Sequence, residues 1–182
     1  MDKGLIPRRY AKALYEVGAE RQDNDRLYAL MQTLASVFAS QPLLAKTLAN
    51  PFVSDDEKMS LLTKAAGETE ATADATYSDF LKLLKENGRL DMAREIALAF
   101  ISLYRSEHEI YRVTVQSAAP MAAAERERLE KVIAGHIGHG TMEYDYSVDP
   151  ALIGGFIVTV NSERLDASVR HQLEEMKLHL LN

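Results

Sequence analysis

Residues 105–118 read RSEHEIYRVTVQSA, and the hydropathy period changes inside that stretch. Upstream of it, from residue 5, apolar residues recur at every third and fourth position. From Ile110 onward they alternate, with Tyr111, Val113 and Val115 against Arg112, Thr114 and Gln116. The first period is that of a helix and the second that of a half-buried strand. A single switch from one to the other predicts two domains, 1–106 and 107–182, and an α+β fold class.

Upstream, the punctuation divides the helical part into six helices joined by short connections, as in an antiparallel bundle. The first begins near Pro7, with Ile6, Tyr10, Leu14 and Val17 as one stripe, and is expected to end at Gly18. The second starts at Asp23 or Asn24 and carries Leu27, Leu30, Met31, Leu34, Val37 and Phe38. A short third follows Pro42, and Asn50-Pro51 stops it, because a residue before proline avoids the helical region. Ser54 and Glu57 form a capping box that opens the fourth, which ends at Gly67. The fifth runs from about Thr72 to Asn87-Gly88, with Tyr77, Phe80, Leu81 and Leu84 on one side. The sixth spans about Leu90 to Ser106.

Downstream, the first strand is followed by a helix from Pro120 to about Ala134, with Leu129, Val132 and Ile133 inward. MEYDYSV at 142–148 alternates cleanly, with Met142, Tyr144, Tyr146 and Val148 on one face. FIVTV at 156–160 is a third strand, and Asn161-Ser162 begins the turn after it. A last helix, about Asp166 to Leu180, stacks Val169, Leu173, Met176 and Leu180. The expected order is therefore β-α-β-β-α.

Composition narrows the function. Hydrophobic residues are 47% of the 182 and charged residues 26%, which suffices for a buried core. The formal net charge of −6 disfavours a nucleic-acid partner, which demands a basic face. The adjacent Arg8 and Arg9 make a basic spot before the first helix that is too small for that purpose. There is no cysteine, so no thiolate metal site, disulfide or cysteine nucleophile is available. No apolar run reaches the ~20 residues that span a bilayer, and MDKGLIPRRY lacks a signal-peptide core. An intracellular, soluble chain is expected.

Chemistry is hard to assemble from the remaining motifs. Gly154-Gly155 precedes a strand, whereas a phosphate loop runs strand, glycines, helix, so the pair reads as a turn needing positive φ or close backbone approach. His136 and His139 in GHIGHG could be two metal ligands, but only Glu143 is near enough in sequence to be a third. They read better as the end of a helix. Asp166, Ser168 and His171 imitate a triad, yet no nucleophile elbow raises the serine, and a helix first turn explains them. No catalytic residue, cofactor or metal is expected, and binding is the function this leaves. Around the first helix's stripe, Ala11, Ala13 and Tyr15 add small and aromatic surface that could admit an added amphipathic helix or simply face bundle neighbours.

Four stretches carry a resemblance: RRYAKALYEV from Arg8, NPFVSDDEK at 50–58, LLKENGRL at 83–90 and DPALIGGFIVTVNSERLDASVRHQL at 149–173. In this order and spacing, over essentially the whole chain, they resemble the delta subunit of bacterial F-type ATP synthase, related to the mitochondrial oligomycin-sensitivity-conferring protein. The resemblance implies a non-catalytic stator component. Its N-terminal bundle would grip the N-terminal helix of an alpha subunit in a groove between the first and fifth helices. Carried over, that groove involves Tyr10, Ala13, Leu14, Val17, Phe80, Leu83, Leu84 and Asn87. The C-terminal domain would join the peripheral-stalk b subunits, with Asp149, Gly154, Gly155, Asp166 and Ser168 shaping it. The implied place is the cytoplasmic face of the inner membrane, reached only through partner subunits. The alternative is a helical adapter in another multi-protein complex.

Overall fold

The computed structural model describes residues 4–69, 74–161 and 163–181, with the side chains of 179–181 outside that description. The chain divides into two compact units, Met1–Ser106 and Glu107–Asn182.

The first unit contains α1 (Leu5–Arg21), α2 (Asn24–Ser40), α3 (Pro42–Leu48), α4 (Asp55–Ala65), α5 (Ala75–Glu86) and α6 (Ala93–Glu107), whose last residue lies past the unit boundary. A 3-10 turn, Leu90–Met92, precedes α6. Local chemistry sets most of these ends. Ser54 Oγ accepts from Glu57 N–H while the Glu57 carboxylate accepts from Ser54 N–H, the predicted reciprocal cap of α4. Gly88 at φ +62 closes α5, with Arg89 N–H donating to the Leu84 carbonyl at 2.8 Å and Gly88 N–H to Lys85. The residues 70–73 before α5, including the expected start at Thr72, lie outside the described residues; Asp74 is the cap, accepting from Tyr77 N–H.

Gly18 does not end α1. The helix continues one turn to Arg21 and stops where Gln22 turns left-handed at φ 56. Gly18 is instead buried against α2: a Cβ there would collide with Asn24 Oδ1 and lie 2.7 Å from Leu27 Cδ1. The residue is kept small by helix contact rather than by helix termination. The buried stripe of α1 is correspondingly Pro7, Ala11, Leu14 and Gly18, rotated from the expected one. Small residues at positions 11 and 18 let α1 seat closely, and α1 packs on α2 and α5.

The second unit contains β1 (Ile110–Ser117), α7 (Ala123–Ile137), β2 (Thr141–Val148), β3 (Gly155–Val160), β4 (Glu163–Ser168) and α8 (Val169–Leu181). The sheet order is β2-β1-β3-β4. β1 and β2 are parallel, as the α7 crossover allows, and the other pairs are antiparallel. Val113, Val115 and Val158 face Ile133 of α7, with Leu129, Ile137, Met142, Tyr144 and Tyr146 packed around them.

Two expectations for this unit fail. Residues 163–168 are a strand, not the start of the last helix, so the observed order is β-α-β-β-β-α. β4 pairs only with β3 and carries Glu163, Arg164 and Asp166, the charged character of an edge strand, which hides it from a search for alternating apolar residues. Val132 is not inward: it is 69% exposed, because Leu129, Ile133 and Ile137 already form the α7 stripe.

Candidate partner-binding groove

Rotating the buried stripe of α1 onto Pro7, Ala11 and Leu14 leaves a second apolar stripe unused by the bundle. Ile6, Tyr10, Ala13 and Val17 are partly or fully exposed, Val17 by 38%. Along α5 the same happens to Leu83, 42% exposed, beside Asn87, whose side-chain amide donates to the Leu83 carbonyl at 2.8 Å. Together Ile6, Arg9, Tyr10, Ala13, Leu83, Asn87 and Arg89 line an open groove of about 400 Å³.

Of the eight residues assigned to this groove from the sequence, Tyr10, Ala13, Leu83 and Asn87 line it. Val17 is exposed further along the same face of α1. Leu14, Phe80 and Leu84 do not belong to its surface: all three are buried, on the faces of α1 and α5 turned to the bundle core. Apolar character cannot separate the two faces of such a helix. The small residues could have, since Ala11 and Gly18 mark the side of closest helix approach. Ile6, Arg9 and Arg89 complete the lining and were missed. Arg8 and Arg9 stand within α1 rather than before it.

The far end of the α1–α5 seam is closed by charge. Arg21 donates to Thr76 Oγ1 at 3.2 Å and reaches Asp79 at 3.4 Å, and Lys82 pairs with Asp79 at 3.2 Å. Hydrogen bonds and ion pairing from Lys82 and Arg21 hold the Asp79 carboxyl below its ordinary range.

The other motifs make local contacts. Asp149 Oδ1 accepts from Ala151 N–H at 3.0 Å and its own N–H donates to the Ser117 carbonyl, fixing the turn into β3. Gly155 sits at φ +73, and a Cβ there would collide with the Ala167 carbonyl oxygen. Gly154 passes Val169, whose Cγ2 would lie 2.8 Å from an added Cβ. Close backbone approach at positive φ accounts for Gly155, and a neighbouring side chain for Gly154. Ser168 Oγ accepts from His171 N–H and donates to Asp166 Oδ1 at 2.6 Å. That bond and the Ser168 N–H depress the Asp166 carboxyl to about 2. The His171 ring lies 3.5 Å from Glu175. His139 lies 3.7 Å from Glu109, and among the described residues no three His, Cys, Asp or Glu side chains gather to hold a metal ion.

A family model described as "ATP synthase delta (OSCP) subunit" matches residues 6–180. The chain belongs to the ATP synthase delta (OSCP) subunit family. It is 38% identical over 181 residues to ATP synthase subunit delta of Parabacteroides distasonis, covering 100% of this chain and 98% of that one. Against the subunit delta of Bacteroides thetaiotaomicron it is 36% identical over 183 residues, covering 100% and 97%. A chain in the cryo-EM structure of the Toxoplasma gondii mitochondrial ATP synthase hexamer shares the fold, with a TM-score of 0.72 over 97% of each chain at 20% identity. The delta (OSCP) family is a non-catalytic peripheral-stalk subunit of ATP synthase. Among the described residues, no helix is long and apolar enough to cross a membrane.

Proposed function

We propose that this chain is the stator link between the catalytic F1 head and the peripheral stalk, holding the head against rotor torque during proton-driven ATP synthesis. The two units divide the work. The first, an antiparallel helical bundle, takes the N-terminal helix of an alpha subunit between α1 and α5, and the second joins the b subunits. Both meet the membrane only through partners, at the cytoplasmic face of the inner membrane.

The observation that carries the reading is the second apolar stripe of α1, at Tyr10, Ala13 and Val17, beside exposed Leu83. A helix that already has a buried face gains nothing in its own fold from such a stripe, and a groove between two helices fits an amphipathic helix with anchors at three and four. Holding against torque needs affinity rather than catalysis.

Titration of the full chain with a synthetic alpha-subunit N-terminal peptide tests this. Binding is expected at micromolar peptide or below, and Ala13→Leu should weaken it at least ten-fold with the helical circular dichroism unchanged. No binding at tens of micromolar sinks the proposal.

A further inference from the structure

The α1–α5 groove is apolar along most of its length but cationic at one end. Arg9 of α1 and Arg89, just beyond α5, line it beside Ile6, Tyr10 and Leu83. Most cations elsewhere on these two helices have a carboxylate beside them, the exception being exposed Arg8, which does not line the groove. Lys12 pairs with Glu16, Arg21 and Lys82 with Asp79, and Lys85 with Asp56 at 2.6 Å. Among the described residues, neither Arg9 nor Arg89 has a carboxylate partner, although the chain carries an excess of acidic groups.

The position of Arg9 also runs against helix stability. Arg8 and Arg9 lie at the positive end of the α1 dipole, where the first turn holds no acidic residue and Gly4 supplies no side-chain cap. Cations at that end are opposed by the helix dipole. Arg89 is half-buried just past the C-terminal end of α5 and has no carboxylate partner among the described residues. Two guanidiniums that border an apolar groove, one of them at the unfavourable end of α1 and neither with a carboxylate partner among the described residues, are arranged for an anion from another chain.

We propose that the groove selects an amphipathic partner helix carrying a carboxylate at one end of its apolar stripe, seated between Arg9 and Arg89. This rests on the groove reading above and deepens it, because one clamped carboxylate fixes what an apolar groove leaves free. An apolar stripe can slide by one turn or reverse direction at small cost. A carboxylate held by guanidinium donors at a single end sets both register and polarity. At the far end Arg21 and Lys82 already share Asp79, so a partner carboxylate there would compete with an internal one.

The test uses the full chain and a synthetic peptide of the alpha-subunit N-terminal helix, with parallel peptides in which each Glu or Asp is replaced by its amide. Arg89→Gln should weaken binding roughly ten-fold and the more exposed Arg9→Gln roughly three-fold. One amide peptide should lose a similar factor with the wild-type chain and lose nothing further with Arg89→Gln. Raising the salt should weaken the wild-type pair more than the Arg9→Gln/Arg89→Gln pair. Unchanged binding by both arginine variants, with Ala13→Leu still blocking, overturns the clamp and leaves the groove standing. Loss on arginine replacement but on no amide replacement overturns the carboxylate as the anion. Full binding by Ala13→Leu places the peptide elsewhere and overturns the groove together with the clamp.

Discussion

The two units differ in how they use apolar side chains. Among the described residues, twenty-two buried apolar side chains lie in the helical unit and six in the sheet unit. The helical unit closes over the larger core and leaves the α1–α5 groove, with Leu5, Leu43, Phe52 and Leu98 exposed elsewhere on it. The sheet unit instead leaves Leu173, Met176 and Leu178 of α8 more than half exposed, along with Val132 and Ile153. Area removed from water is the main source of folding stability. The first unit therefore holds its fold from a larger core of its own, while the second has a smaller core and an exposed apolar stripe along α8. Under the stator link proposed above, this would put the stiffer unit at the head end and the more partner-dependent one at the stalk end.

The comparison breaks first at Phe100. Its side chain is fully buried on α6, near Tyr15 and Tyr104 at centroid distances of 6.2 and 6.5 Å. Phe100→Ala is expected to cost about 3–5 kcal/mol in urea unfolding followed by helical circular dichroism. A cost below ~1 kcal/mol would mean that the bundle core is looser than its burial says.

Next is Gly155, where the sheet unit is held by backbone rather than by core. Gly155→Ala forces a side chain into positive φ, about 1–3 kcal/mol, and drives its Cβ into the Ala167 carbonyl. Hydrogen exchange should accelerate across β3 and β4 while α2 and α6 keep their protection. Gly154→Ala is expected to be milder, since the obstructing atom is a Val169 methyl group that can shift. Equal effects of the two would refute the assigned division between backbone and side-chain contact.

Much of this was legible in the sequence, because the signals involved are local. The period change at residue 110, the Ser54–Glu57 box and Gly88 each act through neighbours, so their spacing reports them directly. What stayed illegible depends on distant partners. β4 is an edge strand defined only by pairing with β3, and its Asp166 and Ser168 look the same whether they precede a helix or end a strand. At the groove, Leu14 and Ala13 differ by one position. Which of them faces the core is settled by Gly18 meeting Asn24 and Leu27 across two helices.

Acid sharpens the contrast at the β4–α8 junction. Asp166 has a folded pKa of about 2, below the ordinary ~3.9 of an unfolded aspartate. Its contribution is therefore present above that unfolded value and is lost as pH falls toward 2. Ser168→Ala removes the hydroxyl that is the largest cause of the depression. The Asp166 carboxyl should then titrate closer to its ordinary range, and α8 should fray at a higher pH than in the wild type. A carbon-detected NMR titration of the Asp166 carboxyl checks this, and an unmoved pKa would shift the credit to the Ser168 N–H and Arg164.

The smallest expected effect on stability is at Leu173, and it separates the two units most sharply. Leu173 is 51% exposed on α8, next along the same stripe to Met176 at 62%. Leu173→Ser removes little buried area, so unfolding should change by less than about 0.5 kcal/mol. A stripe that contributes so little to its own unit has another use if the second unit joins the b subunits. Capture of purified b subunits by the Leu173→Ser chain should then fall several-fold, while alpha-peptide binding in the α1–α5 groove stays at the wild-type level. A stability loss near that of a core residue would instead show that α8 is sealed within the unit in solution. Unchanged b capture would place the stalk contact on another face, such as the surface around Val132 and Ile153 beside Gly154.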